Sequence, residues 1–106
     1  MTHHILLADP NKTIRLAAQM VFAKDPDVIL STAMNSFEAL DKMHLLRPTL
    51  AFMDEELAKQ LCSHLKRLPA PVLILKKPFT SKGLAEQVRH ALRALDEQGH
   101  EQRDSA

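Results

Sequence analysis

Six charged side chains follow three short apolar runs in this sequence. Asp9 follows residues 5–8, Asp54, Glu55 and Glu56 follow residues 49–53, and Lys76 and Lys77 follow residues 72–75. Two carboxylates and an ammonium brought together suit a hard divalent cation plus an oxyanion. Carboxylate oxygens ligate Mg²⁺, which also takes phosphate oxygens, and a lysine neutralises phosphate as a point charge. An aspartate so placed can itself attack phosphorus. The plain alternative is structural, because acids and bases at strand ends are ordinary loop residues and an Asp–Lys pair can serve packing alone. A glycine-rich phosphate loop is not a competitor: the two glycines, Gly83 and Gly99, both come late.

For these residues to meet, three strand ends must lie side by side. Short apolar runs alternate with amphipathic ones along the chain. Residues 5–8 (ILLA) read as a buried strand. NKTIRLAAQMVFAK reads as a helix with Asn11 as its N-cap and Ile14, Ala17, Ala18 and Val21 on one face. A second strand is expected around 28–32, and a second helix from Ser36, its candidate cap, with Pro48 beyond its end. TLAFM is a third strand, and ELAKQLCSHLKRL a third helix with Leu57, Leu61 and Leu65 spaced by four. PVLIL is a fourth strand of buried character, and SKGLAEQVRHALRAL the last helix, with Leu84, Val88, Leu92 and Leu95 inward. From about Asp96 the chain turns polar, giving one domain over 1–96 and a polar tail over 97–106.

Four strand–helix units in strict alternation imply an α/β fold with a parallel sheet and helices on both faces. The strands are continuous apolar runs, as sheets covered on both sides require. Right-handed crossovers give the strand order 2-1-3-4, and sites in such sheets lie beyond the carboxyl ends of the strands. Asp9, Asp54 and a lysine then share one cleft.

The bulk composition narrows the function. A formal net charge of +1 points to neither nucleic acid nor anionic membrane. Four Phe with no Trp or Tyr argue against a stacking platform for single strands. The one cysteine, Cys62, excludes an internal disulfide and a multi-cysteine metal site, and reads as a small core residue. No apolar run is long enough to span a bilayer, and MTHHILLADP lacks the features of a signal peptide, so the expected compartment is the cytoplasm. His3 and His4 are adjacent and point to opposite faces of a strand, which disfavours shared chelation. Met20, Met34, Met43 and Met53 read as packing residues, and Arg89, His90 and Arg93 as a solvated face.

With those residues set out, the chain resembles the receiver domain of bacterial response regulators over nearly its whole length. The resemblance runs from ILLADPNKTIR through AMNSFEALDKMHLLRPTLAFMDEEL to KKPFTSKGLAEQVRHAL. It implies a flavodoxin-like (βα)4 domain in two-component signal transduction. Asp54 matches the family's phosphoaccepting aspartate, and Lys77 its phosphate-binding lysine, whose bond to the following proline is usually cis. Mg²⁺ is the implied cofactor, held by Asp9 and Asp54. A histidine kinase or other signalling protein is the implied partner.

The chain departs from that pattern in four places. Pro10 stands where a second acid is expected, so Mg²⁺ binding should be weak, with Glu55 a partial substitute. The Ser/Thr after the fourth strand is missing, the switch aromatic has no counterpart, and a helix and a strand are absent between APVLIL and KKPF. The sequence therefore reads as a shortened, atypical receiver-like domain, not an enzyme, acting mainly through protein–protein contact, with phosphorylation at Asp54 secondary. The alternative is a phosphorylatable single-domain receiver that accepts a phosphoryl group on Asp54 from a histidine kinase. The apolar fourth strand has no outer neighbour in sequence, so its edge is expected to pair with a second copy in a homodimer. A different protein adding there, or a tolerated edge, are the other outcomes.

Overall fold

The computed structural model describes residues 2–105, with the backbone alone described for Leu65 and residues 98–105. Strands β1 (His3–Ala8), β2 (Val28–Ala33), β3 (Leu50–Met53) and β4 (Val72–Ile74) alternate with helices α1 (Lys12–Phe22), α2 (Ser36–Leu46), α3 (Glu55–Gln60) and α4 (Ser81–Ser105). All strand pairs are parallel, and the sheet order is β2-β1-β3-β4. This is the flavodoxin-like order expected from the sequence.

The apolar runs are continuous because both faces of the sheet are covered. Ile5, Leu6, Leu7 and Ala8 are all at most 1% exposed. Strand periodicity then deals successive residues to opposite cores. Ile5, Leu7, Leu50 and Phe52 join α1 and α4 through Ala18, Phe22, Leu84 and Val88. Leu6, Ala8, Ala51 and Met53 join α2 and α3 through Ala39, Met43, Leu57 and Ala58. A one-residue slip would exchange the two sets, so the cores fix the register. That register aligns Ala8 with Met53 and Met53 with Ile74, which places the three strand ends level.

Helix starts follow side-chain capping. Asn11 accepts a hydrogen bond from the Thr13 N–H at 2.9 Å and caps α1, as expected. The cap of α2 is Asn35 and not Ser36: its Oδ1 accepts from the Glu38 N–H at 2.8 Å. Either side chain can cap, but Asn35 has the extended backbone of a cap (φ −150°, ψ 175°) and Ser36 is already helical.

Five other expectations are corrected. The third helix stops at Gln60 and is followed by turns and a short 3₁₀ segment, Leu65–Arg67. Cys62, Ser63 and His64 are poor helix formers, and a 3₁₀ segment is a common short connector. The apolar stripe buries Leu57 and Leu61, the side chain of Leu65 lies outside the described residues, and Cys62 is exposed rather than core. Met43 and Met53 are buried, but Met20 and Met34 lie on the surface. In β4, Leu73 is 40% and Ile74 47% exposed, since among the described residues no element pairs with its outer edge. Helix α4 continues past Leu95 to Ser105; Glu and Gln in that stretch favour helix, and each added residue adds one backbone bond. Among the described residues no helix is long and apolar enough to cross a membrane.

Candidate functional site

Three backbone bonds carry the ladder one residue past the strands and hold the site level. The Asp9 N–H donates to the Ala33 carbonyl (3.0 Å), the Asp54 N–H to the Ala8 carbonyl (2.8 Å), and the Leu75 N–H to the Met53 carbonyl (2.8 Å). From that frame Asp9, Asp54 and Lys77 meet, as the sequence leads one to expect. Lys77 Nζ donates to Asp9 Oδ2 at 2.7 Å and to Asp54 Oδ1 at 2.6 Å. The Lys77–Pro78 peptide bond is cis.

The two carboxylates differ in setting. The Asp9 side chain is 1% exposed, and it is the one buried charged residue among those described. Its Oδ1 accepts from the Asn11 N–H at 2.8 Å, and Arg15 Nη1 donates to the Asp9 backbone carbonyl at 2.8 Å. Asp54 keeps 14% exposure of its side chain, less than an open cleft would give. It doubles as the N-cap of α3, where its Oδ2 accepts from the Glu56 N–H at 3.1 Å.

Of the two lysines, only Lys77 enters the cluster. The backbone N–H and carbonyl of Lys76 are instead both bonded to the side-chain amide of Gln87 on α4, each at 3.3 Å. Arg15, Asn11 and Gln87 are the contributors that sequence reasoning missed. Asn11 was visible as a cap, but its backbone N–H toward Asp9 follows only from the turn through Pro10. Nothing in sequence marks Arg15 or Gln87.

The Lys77 hydrogen bond holds the Asp54 carboxyl below the ordinary 3.8; burial opposes it, and the Lys77 charge and the N–H groups of Glu56 and Leu57 assist. Burial pushes Lys77 down, but hydrogen bonds and charge from Asp54 and Asp9 outweigh it and leave the ammonium above the ordinary 10.5. A carboxyl depressed on folding stabilises above its unfolded value and loses that contribution as pH falls through the folded value. A raised ammonium stabilises below its unfolded value and loses that contribution as pH rises through the folded one. The cluster is therefore expected to contribute fully between about pH 5 and 9, fading on both sides. Urea midpoints across pH check this, and Lys77→Met should flatten both limbs.

Mg²⁺ requires open oxygen ligands in near-octahedral array. Here all four carboxylate oxygens of Asp9 and Asp54 already accept a hydrogen bond, and the Lys77 ammonium lies between them in the position of a cation. Glu55 does not join them: its carboxylate lies 3.6 Å from Lys59 Nζ on the α3 surface. Among the described residues no three His, Cys, Asp or Glu converge as a metal site. The donor set as arranged does not fit a resident Mg²⁺, which would have to displace Lys77.

No protein-family model matches the chain. A protein-glutamate methylesterase/protein-glutamine glutaminase of Desulfitobacterium hafniense (strain Y51) is 30% identical over 91 residues, covering 80% of this chain and 23% of that protein. The chain thus spans about a quarter of that relative's length. Among solved structures, a response regulator receiver modulated diguanylate cyclase from Pelobacter carbinolicus superposes with a TM-score of 0.74 at 20% identity, covering 92% of this chain and 98% of that one. The response regulator domain of Thermotoga maritima CheB gives a TM-score of 0.61 at 22% identity, covering 70% of this chain and 60% of that one. These likenesses bear out the receiver resemblance at the level of fold.

Proposed function

We propose that this receiver-fold chain is an atypical receiver-like domain of two-component signalling that works mainly through protein–protein contact. Asp54 in this reading is a structural partner of Lys77 before it is a phosphoacceptor. The observation that carries it is the double bridge from Lys77 Nζ to Asp9 and Asp54. Attack on phosphorus needs open approach to a carboxylate oxygen and a cation to offset the charge of the entering phosphoryl group. Here one Asp54 oxygen faces Lys77 and the other caps α3, and Pro10 supplies no further carboxylate. The domain, residues 1–96, is read as a cytoplasmic contact module and not an enzyme. Its partners are a histidine kinase or another signalling protein, together with a second copy at the β4 edge.

The second reading, a phosphorylatable single-domain receiver, is favoured by one feature. The Asp54 side chain retains some access to solvent, so a phosphodonor has a route to its carboxylate. Intact mass after incubation with acetyl phosphate and excess Mg²⁺ separates the two. The contact-module reading expects an unmodified chain. A stoichiometric phosphoryl adduct that disappears in Asp54→Asn supports the second reading instead.

A further inference from the structure

Strand β4 is an edge strand, and among the described residues no strand pairs with its outer side. The Ala51 N–H donates to the Pro71 carbonyl at 3.0 Å, and the Leu75 N–H to the Met53 carbonyl. Backbone groups alternate sides along a strand, so Leu73 also faces β3, and Val72 and Ile74 turn their N–H and carbonyl groups outward. The open stretch has defined limits. At Lys76, Gln87 already occupies both outward groups in the manner of a neighbouring strand. Pro71, which lacks an N–H, sits at an inward position where the outer edge needs no donor.

Beside this edge, on the face shared with α4, runs an apolar groove of about 550 Å³. Phe52, Leu73, Ala91 and Leu95 are among its lining residues, and Leu73 and Ile74 are large apolar side chains left in solvent. An occupant must therefore offer strand backbone and apolar side chains together.

We infer that the occupant is a second copy of this chain, paired antiparallel through β4 about a two-fold axis at Leu73. Val72 then faces Ile74 of the other copy and Ile74 faces its Val72, both as hydrogen-bonded pairs. Leu73 faces Leu73 as a close, non-hydrogen-bonded pair, in the alternation antiparallel strands require. The same register sets Lys76 opposite Ala70, so the pairing brings no lysine against its own copy. The two Leu73 side chains meet on the α4 face, where the two grooves become continuous, and the two sheets form one. A C2 contact is isologous, and this edge meets itself with its donors, acceptors and apolar side chains in matching positions.

The inference deepens the contact-module reading and rests on it, but the two fail separately. A dimer that takes phosphate on Asp54 overturns that reading and leaves the pairing standing; a monomer that refuses phosphate does the reverse. Sedimentation equilibrium of the unaltered chain should give twice the 11.9 kDa chain mass, and a strict monomer overturns the pairing. The register is read by oxidative cross-linking in a Cys62→Ser background. Leu73→Cys should form an intermolecular disulfide, because the close antiparallel pair has a Cα separation of about 4.5 Å, within disulfide range. Ile74→Cys should not. A dimer with any other cross-linking pattern overturns the Leu73-centred register.

Discussion

Lys77→Met is expected to lower the unfolding free energy by about 3 kcal/mol, the lower end of the range for breaking a buried ion pair. The reason lies with what stays behind. Asp9, 1% exposed at its side chain, keeps only the Asn11 N–H for its carboxylate, and a buried charge without its counter-charge is costly. The lower end applies because Lys77 itself remains 31% exposed and water screens part of the attraction. A domain of this size has a total stability of roughly 5–15 kcal/mol, so the loss is a large share and should lower the thermal midpoint by about 10 °C or more. Adding Asp9→Asn to Lys77→Met should recover a substantial part of the loss, since the orphaned charge is then gone. Circular dichroism melts of the two single variants and the double variant measure the coupling. A loss below about 0.5 kcal/mol for Lys77→Met, the range of ordinary surface changes, would mean that the cluster is not a structural clamp.

Phe52→Ala should cost about 4 kcal/mol, within the range for truncating a buried aromatic. Phe52 is 2% exposed at the middle of β3, level with Leu73 of the edge strand. Its ring is part of the core under α4 and also lines the groove beside β4. Truncation removes packing on which the position of β4 depends, and β4 leads directly to Lys77. Urea unfolding should show a lower midpoint with an unchanged slope. Phe37→Ala on α2, where the residue is 81% exposed, should stay within about 0.5 kcal/mol and serves as the matched control.

The strand order and the meeting of Asp9, Asp54 and Lys77 were legible in the sequence because each rests on continuous burial. Runs such as residues 5–8 and 50–53 have one way to lie in a doubly covered sheet, and the charged residues just beyond them must then fall at one edge. Where burial was partial, reading failed. Leu57, Leu61 and Leu65 have helical spacing, but spacing does not report that the helix ends at Gln60; a longer helix carries Cys62 toward the core, and with the helix ended Cys62 is exposed. Residues 72–75 have a core composition, yet exposure at Leu73 and Ile74 depends on an outer neighbour that β4 does not have among the described residues, a property of the assembled fold. The same holds within the site. Two acids and a lysine at strand ends suggested a cation pocket, but only the geometry shows that the lysine already bridges both acids, and that Glu55 turns to Lys59.

The bridge itself is open to direct measurement. Titrating Mg²⁺ to millimolar concentrations while following the backbone amide signals of Asp9, Asn11, Asp54 and Glu56 by NMR reports on every carboxylate in the cluster. With Lys77 in the position of the cation, those signals should hold still in the unaltered protein and begin to move only in Lys77→Ala. A saturable shift of all four in the unaltered protein, at Mg²⁺ well below millimolar, would contradict the account.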